Sequence, residues 1–288
     1  MRVVVEETTT LSFADGSPVR AASAIAPFGG GWLVVQDDAT HAAWVRPAGI
    51  TPVRVIDAVD GLEVFSEAAG TKHLKPDFEA ACAIGDAALL LGSGSSPARM
   101  RASLVRLGAG ESSSFTAADL SLIYRDVAAA MGLTDQLNLE GACVIGNRLR
   151  WFQRANRAAG APTVSVDVDL AALLATVEGR EREVAVGNLR HYELGEVGGV
   201  TLGVTDAVAA GDGLVLVSAV AEDTSNAIDD GPVAGAALML LDDEGVRDEG
   251  LLNAKVEGLA FAGSRLLAVV DADDPAAPSQ QLTLKVTY

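Results

Sequence analysis

Aromatic residues are scarce in this chain: 7 Phe, 3 Trp and 3 Tyr make up 5% of its 288 positions. Its interior must therefore be built from Ala, Val and Leu, which suits tightly packed sheets. Only two cysteines are present, Cys82 and Cys143, too few for a disulfide framework. Each stands three positions after a Glu, in Glu79-Ala-Ala-Cys82 and Glu140-Gly-Ala-Cys143. Both are expected to be reduced, buried and to act as small hydrophobes. No run of 18 apolar residues occurs, so a membrane span is not expected. The opening Met1-Arg-Val-Val-Val-Glu-Glu is too short for a signal peptide and no small-residue cleavage site follows. A cytoplasmic location is the default expectation.

Positive charge is also in short supply. Against 39 acids stand 21 Lys and Arg, for a formal net charge of −18. Such a surface repels phosphate backbones, which disfavours nucleic acid as a partner, and it is compatible with cations. Much of the charge reads as a solvated surface that keeps the chain soluble. His41, His73 and His191 show no ligand spacing. There is no Gly-x-Ser-x-Gly elbow, no phosphate loop with Lys-Ser/Thr and no Cys/His zinc pattern. Gly92-Ser-Gly-Ser-Ser lacks the helix that a phosphate site needs.

What the chain does have is a repeat. Hydrophobic residues are 49% of the total, enough for a large core. A short apolar strand, a turn with Gly and a second apolar strand ending in polar residues recur five times. The copies begin at Ala24, Glu79, Glu140, Thr205 and Glu257, with turn glycines Gly30, Gly85, Gly146, Gly211 and Gly263. Gly accepts positive φ at such turns without steric cost. The intervals between these glycines are 55, 61, 65 and 52 residues, and the tail joined to the first 30 residues supplies another 55. Third strands follow at 102–107, 162–168, 236–241 and 281–286.

A near-constant period that closes on itself predicts an all-β propeller of five blades, one domain over residues 1–288. The opening strand, Arg2 to Phe13, pairs with the C-terminal strand and closes the last blade. A sixth blade, poorly matched around 45–70 or 180–200, is the alternative count. Two stretches break the rhythm and read as helical insertions on one face. Thr116 to Gly132 has a capping-box start and a terminal Gly, and Asp169 to Val177 has Asp169 as its N-cap.

Candidate chemistry gathers at one end of the ring. Glu79, Glu140 and Glu257 occupy one point of the repeat, just before the inner strand, with Ala24 and Thr205 in the other two copies. Asp77, Asn138 and Lys255 lie two residues earlier and point the same way, with Lys75 two before Asp77. Converging carboxylates repel and need a cation, a base or a shared proton. Carboxylate and Asn oxygens suit Ca²⁺ or Mg²⁺, with Glu79, Glu140 and Glu257 as the metal ligands. Two alternatives stand beside this. Each Glu accepts hydrogen bonds from the next blade and locks the ring, with Lys75 and Lys255 as counter-charges, or the acids transfer protons without metal. A second layer at the ends of the second strands holds Asp37-Asp38, Ser93 to Ser96, Arg154, Asn156, Glu222, Asp223, Asp230, Asp271 and Asp273. Arg154 has the fork to grip a carboxylate or phosphate, although turn chemistry alone also uses such residues.

Several of these segments look familiar. Lys75-Pro-Asp77-Phe-Glu79, Asn138-Leu-Glu140-Gly, Gln153-Arg154-Ala-Asn156, Ala221-Glu222-Asp223-Thr224, Lys255-Val-Glu257-Gly and Asp271-Ala-Asp273-Asp274-Pro resemble a bacterial family of unknown function, from about residue 70 to the end. That family is similar in turn to the esterase-like phytase propellers, which share Glu-Gly at the inner strand. The resemblance implies a propeller with a site at one end of its channel. Ala155 stands where the family pattern has Gly, and two repeats lack the Glu. Two functions follow as expectations. One is a cation-assisted hydrolase of an ester or phosphoester, with Glu79, Glu140, Glu257, Lys75, Arg154 and Lys255 as catalytic residues. The other is a monomeric module whose loops at 93–100 and 222–235 bind a small molecule or a protein.

Overall fold

A computed structural model describes the whole chain except residues 134–135, 157–159, 181–182, 225–230, 273 and 275. Its strands form five antiparallel sheets arranged as a ring. Strand β1 (Arg2–Thr10) opens the chain. The first blade is β2 (Ala22–Phe28), β3 (Gly31–Gln36), β4 (His41–Arg46) and β5 (Gly49–Arg54). The second is β6 (Phe78–Ile84), β7 (Ala87–Gly92), β8 (Arg101–Leu107) and β9 (Ser113–Asp119), followed by helix α1 (Ser121–Ala130). The third is β10 (Leu139–Ile145), β11 (Arg148–Gln153), β12 (Val164–Asp169) and, after helix α2 (Leu170–Val177), β13 (Val186–His191). A two-residue β14 (Glu196–Val197) leads into the fourth, β15 (Val200–Gly211), β16 (Leu214–Glu222), β17 (Val233–Leu241) and β18 (Val246–Leu252). The fifth is β19 (Val256–Ala262), β20 (Arg265–Val270) and β21 (Gln280–Thr287), with β1 as its outer strand. Arg2 pairs with Thr287 and Thr10 with Gln280, so the ring is fastened by its two ends. The stretches considered for a sixth blade belong to the first, third and fourth blades and their connections.

The first strand of each blade lines the axis: β2 packs beside β6, β6 beside β10, β10 beside β15, β15 beside β19, and β19 beside β2. All five turn glycines take positive φ, from 58° at Gly85 to 85° at Gly211. Five apolar cores follow, one between each pair of neighbouring blades. Ala, Val and Leu dominate them, with a few aromatics as anchors. Between the second and third blades Tyr124 meets Trp151 edge-on, with centroids 4.8 Å apart, and its hydroxyl donates to Gly92 O at 2.6 Å. Cys82 and Cys143 are free and buried. No helix among the described residues is long and apolar enough to cross a membrane.

The helices depart from expectation in two ways. Thr116 to Asp119 belongs to β9, where Phe115 pairs with Val105 and Thr116 with Leu104. The blade needs a fourth strand there, and its ladder overrides a local helix signal. The helix starts at Ser121, whose N–H donates to Asp119 Oδ1 at 2.7 Å. The two helices also lie at opposite ends of the ring. Asp119 ends beside Arg101, next to the finish of β7, which is the end where inner strands begin. Asp169 ends beside Arg148, next to the hairpin turn at the far end. It caps α2 as expected, accepting from Ala172 N at 2.8 Å.

Candidate functional site

Each inner strand carries a β-bulge at the same point. The pairing skips one residue between Ala22 and Ala24, Phe78 and Ala80, Leu139 and Gly141, Val204 and Asp206, and Val256 and Gly258. The skipped residues are Ser23, Glu79, Glu140, Thr205 and Glu257. A bulge re-aims its side chain out of the ladder, and here it does so five times around one axis. In the first blade the equivalent is Ser23, not Ala24. The repeat alignment slipped by one because it matched apolar residues, while the bulge follows the polar one.

The five bulged residues divide by length. Ser23 Oγ donates to Phe78 O of the next blade at 2.6 Å, and Thr205 Oγ1 donates to Val256 O at 2.6 Å. These two hydroxyls latch neighbouring blades. The three glutamates reach past that point into a cavity of about 640 Å³ at the end of the channel. In the third and fifth blades the residue after the Glu is Gly because the next inner strand comes close. A Cβ on Gly141 would lie 3.0 Å from the Asp206 backbone, and one on Gly258 would lie 2.8 Å from that of Ala24.

One wall of the cavity is built from the first two blades. Backbone bonds stitch it together: Asp77 N–H donates to Asp37 O at 3.0 Å, Ser93 N–H to Asp77 O at 2.9 Å, and Leu139 N–H to Ser93 O at 2.8 Å. Asp77 holds a left-handed φ of 58°, a strained state that its surroundings enforce. Lys75 Nζ lies 2.6 Å from Asp77 Oδ1 and also bonds Asp37 Oδ2. Arg99 Nη1 lies 3.1 Å from Asp77 Oδ2, and Ser93 Oγ donates to that same oxygen. Arg20 pairs with Asp38 at 2.8 Å. Oxygens of Asp37, Asp77 and Glu79 lie within 4.8 Å of one another. Glu79 itself makes no hydrogen bond or ion pair with any described residue.

The opposite wall comes from the other three blades. Arg154 Nη1 donates to both Glu140 oxygens, at 3.0 and 2.8 Å, and Nη2 donates to Glu222. Asn138 Nδ2 donates to Glu140 Oε1 at 2.6 Å. Lys255 Nζ lies 3.1 Å from Glu257 Oε1 and 3.5 Å from Glu222 Oε1. Gly203 makes room for this arrangement, since a Cβ there would lie 2.7 Å from Arg154 Cγ.

Eleven acidic and six basic residues line the cavity among the described residues, and the surplus of acid shows in the proton affinities. Burial raises the Glu140 carboxyl to about 7, against the pull of Arg154. Burial and the charges of Asp77 and Asp37 raise Glu79 well above the usual range. Burial also raises Glu257 despite Lys255 and Arg154, and it raises Asp38 to about 7 with help from Asp37. Asp77 goes the other way: burial opposes its ionisation, but Lys75 and Arg99 outweigh it. Lys75 is likewise held firmly protonated by Asp37, Asp77 and Glu79 in spite of burial.

The structure thus brings Glu79, Glu140, Glu257, Lys75, Arg154, Lys255, Asp77, Asn138, Asn156, Glu222, Asp223 and Asp271 around one cavity. Asp230 and Asp273 lie outside the described residues. Asp271 accepts from Ser279 Oγ at 3.0 Å, while Asn156 pairs its backbone with Ala161. Glu140 accepts from Asn138 and Arg154 and Glu257 pairs with Lys255, and the blade-locking role falls to Ser23 and Thr205. Arg20 and Arg99 were not foreseen. Arg99 sits seven residues past the end of β7, in a loop that folds back, so no fixed spacing from the repeat marks it. For Ser23 there was a signal: a polar residue at that point in all five copies.

This chain belongs to a family of unknown function, DUF6929, whose model matches residues 18–286. That match bears out the resemblance to a family of unknown function and carries no activity with it. No curated protein matches the chain. Among solved structures, it is similar to a candidate glycoside hydrolase from Bacteroides ovatus, at 10% identity and a TM-score of 0.50, over 93% of this chain and 86% of that one. It is also similar to a glutaminyl cyclase from Myxococcus xanthus, at 8% identity and a TM-score of 0.47, over 99% and 97%. A candidate oxidoreductase (glucose dehydrogenase) from Thermus thermophilus matches at 9% identity and 0.43, over 96% and 99%. Likeness at such identity concerns the fold alone, and nothing in these matches bears on the likeness to phytase propellers.

Proposed function

We propose that the channel mouth hydrolyses a small ester by proton transfer between Glu79 and Glu140. The observation that carries this reading is the contrast between two glutamates that share one backbone position. Glu79 makes no hydrogen bond or ion pair with a described residue, and burial with the charges of Asp77 and Asp37 raises its carboxyl well above the usual range against the pull of Lys75. Glu140 is gripped by Arg154 and Asn138 and titrates at about 7. Environments that push two carboxyls to different proton affinities assign an acid and a base.

In this scheme Glu140 takes a proton from water as the hydroxide oxygen bonds to the ester carbonyl carbon. Its charge is then cancelled, and Arg154 loses one of its two counter-charges. The guanidinium is free to hold the negative charge on the carbonyl oxygen, with Lys255 beside it. As the ester C–O bond breaks, Glu79 gives its proton to the leaving alkoxide. Exchange with water resets both carboxyls.

The excess of acid on the lining favours a neutral or cationic ester over a phosphoester. The same excess is compatible with a second reading, in which Ca²⁺ or Mg²⁺ polarises an ester or phosphoester; among the described residues the carboxylates at ligand spacing are Asp37, Asp77 and Glu79, not the expected set of Glu79, Glu140 and Glu257. Either scheme needs one chain and a small ligand.

The test is turnover of 4-nitrophenyl esters and phosphoesters by protein purified without chelator, with and without EDTA. Ester turnover that survives EDTA and falls by about 100-fold or more in Glu140→Gln and in Glu79→Gln supports the first scheme. Turnover abolished by EDTA supports the second. No turnover, with ligand-induced stabilisation from a small-molecule screen, leaves a non-catalytic binding module.

A further inference from the structure

The wall that carries Glu79 has the oxygen spacing of a hard-cation site. Asp37, Asp77 and Glu79 come from the end of β3, the entry to β6 and the β6 bulge, and their oxygens converge within 4.8 Å. Carboxylates this close repel unless positive charge stands among them. That charge comes from within the chain. Lys75 bonds Asp37 Oδ2 and lies 2.6 Å from Asp77 Oδ1, with its side chain only 13% exposed.

The backbone fixes the ammonium there. A single 3₁₀ turn, Lys72–Leu74, precedes Lys75, whose N–H bonds Lys72 O. Pro76 follows, and Asp77 is pinned in its left-handed conformation by its backbone bond to Asp37. A Lys on so short and constrained a segment has little freedom to leave.

We infer that Lys75 is a tethered cation occupying the place a divalent ion would take between Asp37, Asp77 and Glu79, and that this wall works without metal. An ammonium carries one charge on a fixed stem, accepts no ligand water and cannot exchange with solvent ions. It balances the carboxylates without supplying a Lewis acid. This inference does not depend on the ester reading, because its test measures ion binding rather than turnover.

The experiment is equilibrium dialysis of the full chain against Ca²⁺, and separately Mg²⁺, for wild type, Lys75→Ala and Lys75→Gln, with thermal midpoints measured in parallel. We expect no stoichiometric ion on wild type at this wall. Lys75→Ala should bind one Ca²⁺ at least about tenfold more tightly than wild type, and Ca²⁺ should restore its lowered midpoint where equal ionic strength of sodium does not. Adding Asp77→Asn to Lys75→Ala should remove that gain. A merely structural lysine would lower the midpoint without creating an ion site. One ion on wild type that Asp77→Asn abolishes overturns the inference, and so do folded Lys75 variants that gain none. Should neither variant fold, the wild-type dialysis decides alone, with no bound ion sustaining the inference.

Discussion

Ser23 and Thr205 occupy the same bulge as Glu79, Glu140 and Glu257, yet the two groups do different things. The hydroxyls stop at a neighbouring carbonyl, 2.6 Å away in both cases, and close the ring. The glutamates are two bonds longer and arrive in the cavity. One backbone device, repeated by a sheet that curls onto itself, therefore serves closure where the side chain is short and reaches the cavity's ion-pair network where it is long, although Ser23 also borders the cavity. Among the glutamates a second contrast appears: Glu140 and Glu257 make direct ion pairs, whereas Glu79 makes none with a described residue and feels Lys75 only through its charge. Backbone equivalence fixes where a side chain begins, and the neighbouring blade decides what it meets.

The sharpest way to break this comparison is to titrate stability. Glu140 binds its proton at about 7 in the folded chain, against 4.5 for an ordinary glutamate. Between those values the folded state holds a proton that the unfolded chain has released. Stability must therefore fall as pH rises through that window, by on the order of 3 kcal/mol for this group, and the cost is complete above it. Glu140→Gln should remove that slope and gain on wild type above about pH 7, with Glu222 still balancing Arg154. Urea denaturation at about pH 5 and pH 8 reads this directly, and an unchanged slope would contradict the assigned environment.

Glycine after the bulge offers the next largest effect. Gly258→Ala would place a methyl 2.8 Å from the Ala24 backbone and 2.7 Å from Val269 Cγ2, whereas Gly141→Ala would place one 3.0 Å from the Asp206 backbone, tight but less severe. We expect a loss of about 1–3 kcal/mol for each, with Gly258→Ala the worse. The reverse order in denaturation midpoints would show that the fifth blade yields more easily than its packing suggests.

Removing a latch comes next. Thr205→Val leaves Val256 O and Ser218 Oγ without a buried partner and should cost about 1–2 kcal/mol. Ser23→Ala should behave alike in stability; Thr205→Val should leave ligand affinity at the cavity unchanged, because Thr205, unlike Ser23, does not line it. The smallest effect belongs to the far end. Asp169→Ala removes the cap of α2 and should cost about 1 kcal/mol without touching the site.

Much of the ring was legible because its signals are local. Gly30, Gly85, Gly146, Gly211 and Gly263 announce tight turns, and alternating Val, Leu and Ala mark strands on either side. Asp169 was read correctly because a cap acts within three residues. Thr116 misled for the converse reason: its neighbourhood looks helical, but pairing with Leu104 across the blade determined its conformation. The convergence of Glu79, Glu140 and Glu257 could be inferred from periodicity. Arg99 and Arg20 could not, since each enters the cavity from a loop whose path depends on the blades around it.

By itself, then, the order of residues determined a closed five-bladed ring and a polar position recurring in four of its blades, because turn geometry and strand alternation are short-range properties. Only the assembled tertiary structure decided that Lys75 would lie between Asp37 and Asp77, that Arg154 would bridge Glu140 and Glu222, and that Glu79 would stand apart. Charge and proton affinity depend on what lies within a few ångströms in space, and in this ring those neighbours come from stretches of chain far apart in sequence.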